Sequence, residues 1–222
     1  MNWAILEILG AISYGISGTL VASEENYDLL GAYILGVTTS FGGGAIRNLL
    51  LGSSVKGVLS KEHLFIIALV SVTLAFFFPR KWRSNLTYPA IFFDAIGLSA
   101  FAIQGAHYAI QNDAPIVGVI ISAVLSGTGG GILRDLLAGR KPMIFYANMY
   151  ALWALLAGIL IGFRIINNNL MTLTLFVILI ILRMTSVYFD WTLPHYLSSQ
   201  KFIGFEVDEE DTMNPSKKSK KD

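Results

Sequence analysis

Phe41-Gly42-Gly43-Gly44-Ala45-Ile46-Arg47-Asn48-Leu49-Leu50-Leu51-Gly52 has a second copy, Thr128-Gly129-Gly130-Gly131-Ile132-Leu133-Arg134-Asp135-Leu136-Leu137-Ala138-Gly139. Each copy sets three glycines and one arginine inside a long apolar stretch. A glycine in a helix interior costs about 1 kcal/mol relative to alanine. An arginine at the centre of a membrane helix costs about 2.5–3.5 kcal/mol on insertion scales. Two unfavourable features repeated at one spacing point to a functional element.

A shift of 87 residues carries the first copy onto the second, and the match reaches well beyond the glycines. Glu7 meets Asp94, Gly10 meets Gly97, Gly18 meets Gly105 and Gly31 meets Gly118, with no gap between residues 7 and 52. Self-similarity over this length is the mark of an internal repeat.

Of the 222 residues 54% are hydrophobic and 14% charged, and mean hydropathy is +0.61. About 20 apolar residues cross a bilayer as a helix. Hydropathy predicts an all-α integral membrane protein with seven spans, near 4–22, 29–51, 63–79, 89–110, 116–138, 143–163 and 168–188. The runs lack the alternation of a membrane β-barrel. The first run lacks a basic flank and carries Glu7, so it reads as a retained span and not a signal peptide.

Several function classes drop out. The chain has no cysteine, hence no disulfide or thiolate site, and His63, His107 and His195 form no metal-ligand cluster. A net charge of +1 gives no footing for nucleic acid. No Walker loop, catalytic triad signature or zincin motif occurs, so neither an enzyme nor a resident metal or cofactor is expected.

Lysine and arginine in the loops set the orientation. Lys56, Lys61 and Arg164 fall on one side; Arg80, Lys81, Arg83, Arg140, Lys141 and the tail lysines fall on the other. The second side is therefore expected to be cytoplasmic, with the N-terminus outside. The expected organisation is a three-helix repeat over 1–87, a second over 88–166, a seventh helix over 167–190 and a largely disordered charged tail over 191–222. Three spans per repeat is an odd number, so the second copy enters from the opposite side. The repeats are then inverted about a pseudo-two-fold axis in the membrane plane, an architecture of transport proteins. Trp3, Trp82, Tyr88, Tyr146 and Trp191, near span ends, fit an interfacial aromatic belt.

Three consecutive glycines are expected to kink or open a helix, with the freed carbonyls turned to protein or water. Arg47 follows Gly43 and Gly44 by four and three residues, and Arg134 follows Gly130 and Gly131 likewise, so each pair shares a face. Helical side chains lean towards the N-terminus, which sets each guanidinium over its own glycine notch. Glu7 and Asp94 are candidate counter-charges. Asp135, adjacent to Arg134, is expected to point elsewhere and pair with another segment; Asn48 holds the matching position. Hydroxyls at Thr38, Thr39, Ser40, Ser122, Ser126 and Thr128 either line a hydrated path or bond back to helix carbonyls. Three readings fit the doubled motif: close helix packing through small residues, arginines snorkelling to the interface, or a polar pathway across the membrane.

These paired elements resemble those of the prokaryotic branch of the trimeric intracellular cation (TRIC) channels, a bacterial family also described as glycine-transporter-like. The resemblance runs from about Leu6 to Pro194. It includes Asp94-Ala95-Ile96-Gly97-Leu98, Leu136-Leu137-Ala138-Gly139-Arg140-Lys141-Pro142 and Trp191-Thr192-Leu193-Pro194. It implies a homotrimer in which each protomer carries its own pore beside helices two and five, embedded in lipid of a bacterial inner membrane. The implied activity is passive permeation of monovalent cations, K⁺ mainly, with Na⁺ as the other candidate. By motif position, Gly42, Gly43, Gly44, Gly129, Gly130 and Gly131 are the implied kinks. Arg47, Arg134, Asn48, Asp135, Thr38 and Ser126 are the implied polar or gating residues. Asn48 stands where the family usually has aspartate, which puts charge pairing of the first motif in question. No Thr-Val-Gly-Tyr-Gly filter is present, so discrimination falls to pore width and to carbonyl or hydroxyl contacts. Inverted repeats suit a secondary transporter of glycine or a similar small zwitterion equally well. A non-conducting membrane protein is the third class.

Overall fold

Seven α-helices and no strand run through the residues that the computed structural model describes, namely 3–54, 57, 60–77, 86–145 and 149–191. They are α1 (Trp3–Glu24), α2 (Leu29–Leu50), α3 (Glu62–Phe76), α4 (Thr87–Gln111), α5 (Ile116–Leu137), α6 (Tyr150–Gly162) and α7 (Asn169–Tyr188). Five of them, α1, α2, α4, α5 and α7, are long and apolar enough to cross a membrane; α3 and α6 are shorter and equally apolar. Leu30, Leu49, Ile66, Val117, Leu170 and Ile181 are exposed on the outside of the bundle, as suits an integral membrane protein whose outer face meets lipid.

Local chemistry places the helix ends. The Asp28 carboxylate accepts from Gly31 N–H and the Asn168 amide oxygen accepts from Met171 N–H, both at 2.8 Å, capping α2 and α7. The two glycine-bearing helices stop in the same way. Gly52 (φ +66°) and Gly139 (φ +70°) take the left-handed conformation. Gly52 N–H reaches Leu49 O and Ser53 N–H reaches Asn48 O; Gly139 N–H reaches Leu136 O and Arg140 N–H reaches Asp135 O. This paired reverse bonding satisfies the last carbonyls and favours glycine at the turning residue.

The repeat is structural as well as sequential. Shifted by 87 residues, Leu29–Leu50 takes the bounds of α5, and Glu62–Phe76 falls within one residue of α6 at each end. Helices α1 and α4 pack on each other at the centre, and each packs on its own glycine helix. Helices α2 and α5 cross; α3 covers α1 and α2, α6 covers α4 and α5, and α7 lies on α4 and α6. Leu98, Ile103, Ala123, Trp153, Phe176 and Leu179 belong to the core of the second repeat and α7.

The sixth span departs from expectation. It begins as helix at Tyr150, not at 143. Met143–Phe145 form one 3₁₀ turn, and Met149 (φ +52°) is left-handed. Pro142 precedes the turn, and the Asp135 carboxylate accepts from Met143 N–H at 3.0 Å, tying this segment to the end of α5. Lys56, Arg80, Lys81, Trp82, Arg83, Tyr146, the Trp3 side chain and the tail from 192 lie outside the described residues. Tyr88 and Trp191 are exposed near helix ends.

Candidate functional site

The glycine triads are where α2 and α5 meet. A methyl group on Gly43 would strike the Ser126 carbonyl oxygen, with Leu125 O and Gly130 N at 3.2 Å; one on Gly129 would lie 3.0 Å from Gly43 Cα; one on Gly130 would strike the Thr39 carbonyl. The expected opening of the helices does not occur: α2 and α5 run as uninterrupted α-helix through both triads. The propensity cost is offset by main-chain packing that any Cβ would prevent. Gly42 faces the Leu133 side chain. Gly44 lines a cavity.

Two cavities flank this crossing. The first, about 350 Å³, is bounded among others by Glu7, Arg47, Asn48, Lys61, His107 and Ser126. These come from the start of α1, the ends of α2 and α4, the approach to α3 and, for Ser126, the middle of α5. The second, about 340 Å³, is bounded among others by Glu24, Thr87, Arg134, Asp135, Arg140 and Arg183. These come from the end of α1, the start of α4 and the ends of α5 and α7. A 22-residue helix such as α1 is about 33 Å long at 1.5 Å per residue, so the cavities sit at opposite ends of the bundle. The 87-residue shift exchanges Arg47 with Arg134, Glu7 with Asp94 and Asn48 with Asp135.

At the second cavity the arginine is fully neutralised. Arg134 Nη1 donates to Asp94 Oδ1 and to Ser17 Oγ, both at 2.7 Å, and Nε donates to Asp135 Oδ1 at 2.9 Å. Tyr150 Oη donates to Asp94 Oδ1 at 3.3 Å. Arg134 and Asp94 are 1% and 0% exposed. A methyl on Gly131 would meet Tyr150 Oη at 2.6 Å and Arg134 Nη2 at 3.7 Å, so this guanidinium does fold back over its own glycine notch. Arg183 of α7 stands over the Tyr150 ring at 4.8 Å. At the mouth, Arg140 donates to Glu24 at 2.6 Å and also to Glu25, and Thr87 Oγ1 donates to Glu24 at 3.1 Å.

The first cavity is built differently. Arg47 Nε donates to Asn48 Oδ1 at 3.0 Å, Nη1 approaches Ser126 Oγ at 3.5 Å, and the guanidinium lies 3.9 Å from the Tyr108 ring centroid. Asn48 Nδ2 donates to Ser54 O at 3.1 Å. Glu7 accepts from Lys61 and Gln104.

Beside the crossing Tyr14 Oη donates to Gly127 O, and the Tyr14 and Phe101 rings lie 5.3 Å apart. The 87-residue shift exchanges these two rings as well. The Tyr14 ring lies against Gly130 of the triad contact, and Phe101 lines the first cavity.

Asp94 thus sits on Arg134 as a counter-charge, whereas Glu7 is held by Lys61 and Gln104 instead of Arg47. Asp135 does not point away from Arg134: the arginine stem folds so that Nε reaches the next residue. Arg47 is 6% exposed, so neither motif arginine extends to an interface within the protomer. Ser40 and Ser126 line the first cavity and Thr39 is buried at the crossing, while Thr38 is half-buried and lines neither cavity. Arg183 was missed at the sequence level, although an ionisable residue inside the 168–188 span carried the signal. Tyr14, Tyr108 and Tyr150 gave none, because an aromatic within an apolar run looks like core.

A family model described as Glycine transporter matches residues 4–80 and 91–165. The UPF0126 membrane protein YvgT of Bacillus subtilis is 48% identical over 195 residues, which is 88% of this chain and 96% of that protein. The crystal structure of a prokaryotic TRIC channel in 0.5 M KCl is similar at 31% identity and TM-score 0.79, covering 87% of this chain and 99% of that one. The TRIC trimeric intracellular cation channel orthologue from Rhodobacter sphaeroides is also 31% identical, at TM-score 0.76, with 85% and 98% covered. With a doubled glycine–arginine helix, inverted repeats and a seventh helix in one chain, this protein belongs to the prokaryotic branch of the TRIC family.

Proposed function

We propose that this protein is a cation channel, conducting K⁺ and to a lesser degree Na⁺ along a path that joins the two cavities within one protomer. Family and fold are those of TRIC channels, not of an enzyme. One observation supports the reading: two cavities that carry charged side chains lie at opposite ends of the bundle, and the path proposed between them runs through the α2–α5 crossing beside Tyr14 and Phe101. The glycines leave no Cβ between the main chains of α2 and α5 at Gly43, Gly129 and Gly130, so a small slide of one helix past the other widens the gap. Thr39 and Ser126 carbonyls beside the crossing supply oxygen for a partly dehydrated cation. The domain division at 87 and 166, the trimer, the surrounding lipid, the inner-membrane location and the outside N-terminus belong to the same proposal. In that orientation the first cavity faces outwards.

A second reading, a secondary transporter of glycine or a similar zwitterion, draws on the same pair of cavities as alternating access sites. Purified protein in a planar bilayer with asymmetric KCl separates the two. Unitary currents reversing near the K⁺ equilibrium potential are expected. Silence in the bilayer together with saturable glycine uptake by proteoliposomes would overturn the channel.

A further inference from the structure

The two motif arginines are equivalent in sequence but not in electrostatics. Arg134 contacts two carboxylates, Asp94 and Asp135. Arg47 has Asn48 in place of the second, and the first, Glu7, is drawn off by Lys61. Among the described residues no carboxylate lies within ion-pair distance of Arg47. Its hydrogen-bond partners are an amide oxygen and a hydroxyl, and the Tyr108 ring face offers a partial negative charge. The guanidinium is nonetheless buried, and it borders a cavity of about 350 Å³ that also carries Lys61 and the Ser40 and Ser126 hydroxyls. Arg47 and Lys61 against Glu7 leave one excess positive charge on this wall. A buried cation with no carboxylate in contact is unfavourable unless an anion joins it.

We propose that this cavity is a binding site for a small monovalent inorganic anion of the halide class, which does for Arg47 what the Asp135 carboxylate does for Arg134. The donors suit it: guanidinium N–H, a serine hydroxyl and a nearby ammonium. A single excess charge matches a monovalent ion better than phosphate or sulfate. Resting on the channel reading, the bound anion also cancels the repulsion that Arg47 exerts on an entering cation, so K⁺ flux depends on the anion supplied at that face.

The test uses the full chain crystallised in sodium bromide. An anomalous peak beside Arg47 is expected in the wild type and is lost in Asn48→Asp, where a carboxylate fills the role, and in Arg47→Gln. No peak in the wild type, or a peak that survives both substitutions, overturns the site. In proteoliposomes, K⁺ flux is expected to fall several-fold when methanesulfonate replaces chloride, and Asn48→Asp is expected to be indifferent to the exchange. Equal wild-type flux in both anions overturns the dependence. Bromide at Arg47 with no K⁺ flux in any medium upholds the site and refutes the channel.

Discussion

Replacing Asp94 and Asp135 by asparagine, singly and together, tests whether Arg134 is held by charge. Asp94 Oδ1 lies 2.7 Å from Nη1 and Asp135 Oδ1 2.9 Å from Nε, with side chains 0% and 5% exposed. Asparagine keeps an acceptor oxygen and nearly the same volume, so each single change removes charge and little else. A charge-assisted hydrogen bond contributes about 1.5–3 kcal/mol, which sets the cost of each single variant at about 2 kcal/mol. In either one the remaining carboxylate still neutralises Arg134. Only the double variant leaves a bare buried cation, a situation that costs about 3–5 kcal/mol. The double variant should therefore lose the two single costs and this penalty together, about 7–9 kcal/mol, exceeding the sum of the singles by about 3–5 kcal/mol. Unfolding in mixed micelles titrated with sodium dodecyl sulfate, followed by tryptophan fluorescence, reads these differences. Additivity within about 0.5 kcal/mol, the behaviour of independent sites, would refute the shared-cation reasoning.

Other consequences concern the crossing and the helix ends. Gly43→Leu and Gly130→Leu each drive a branched side chain into the opposite main chain; K⁺ flux should be suppressed while the oligomer persists on cross-linking, and normal flux in both variants removes the crossing from the path. Tyr14→Phe deletes the hydrogen bond to Gly127 O and keeps the ring, so unitary conductance or open time should rise in bilayer recordings; an unchanged current would show that this bond does not hold the gap closed. Gly139→Ala meets nothing within 4 Å, so its cost is the left-handed backbone alone, about 1–2 kcal/mol. Gly139→Asn should cost less in the same unfolding assay, and equal losses would contradict a purely conformational origin.

How far the sequence reached is seen best residue by residue. The glycine triads were legible as a special element because glycine and arginine are both disfavoured in apolar helices. What they do was not: local propensity argues for an open helix, and only the neighbouring main chain at Ser126 and Thr39 shows why the helix stays whole. Asp94 was legible as a counter-charge because it falls in an apolar span. Its choice of Arg134 was not, since that contact spans 40 residues of chain.

By itself the sequence determined the membrane class, the seven apolar segments and, through the odd number of spans per copy, the inversion of the repeats. Those conclusions need only segment length, hydropathy and parity, which each stretch of chain carries on its own. The tertiary structure alone decided that Lys61 takes Glu7, that Asp135 turns back to Arg134, that α6 starts at Tyr150 and that Tyr14 packs on Phe101 beside the crossing. Each of these depends on which distant side chains come within a few ångströms, and a flexible arginine or lysine stem reaches several partners that sequence spacing does not tell apart.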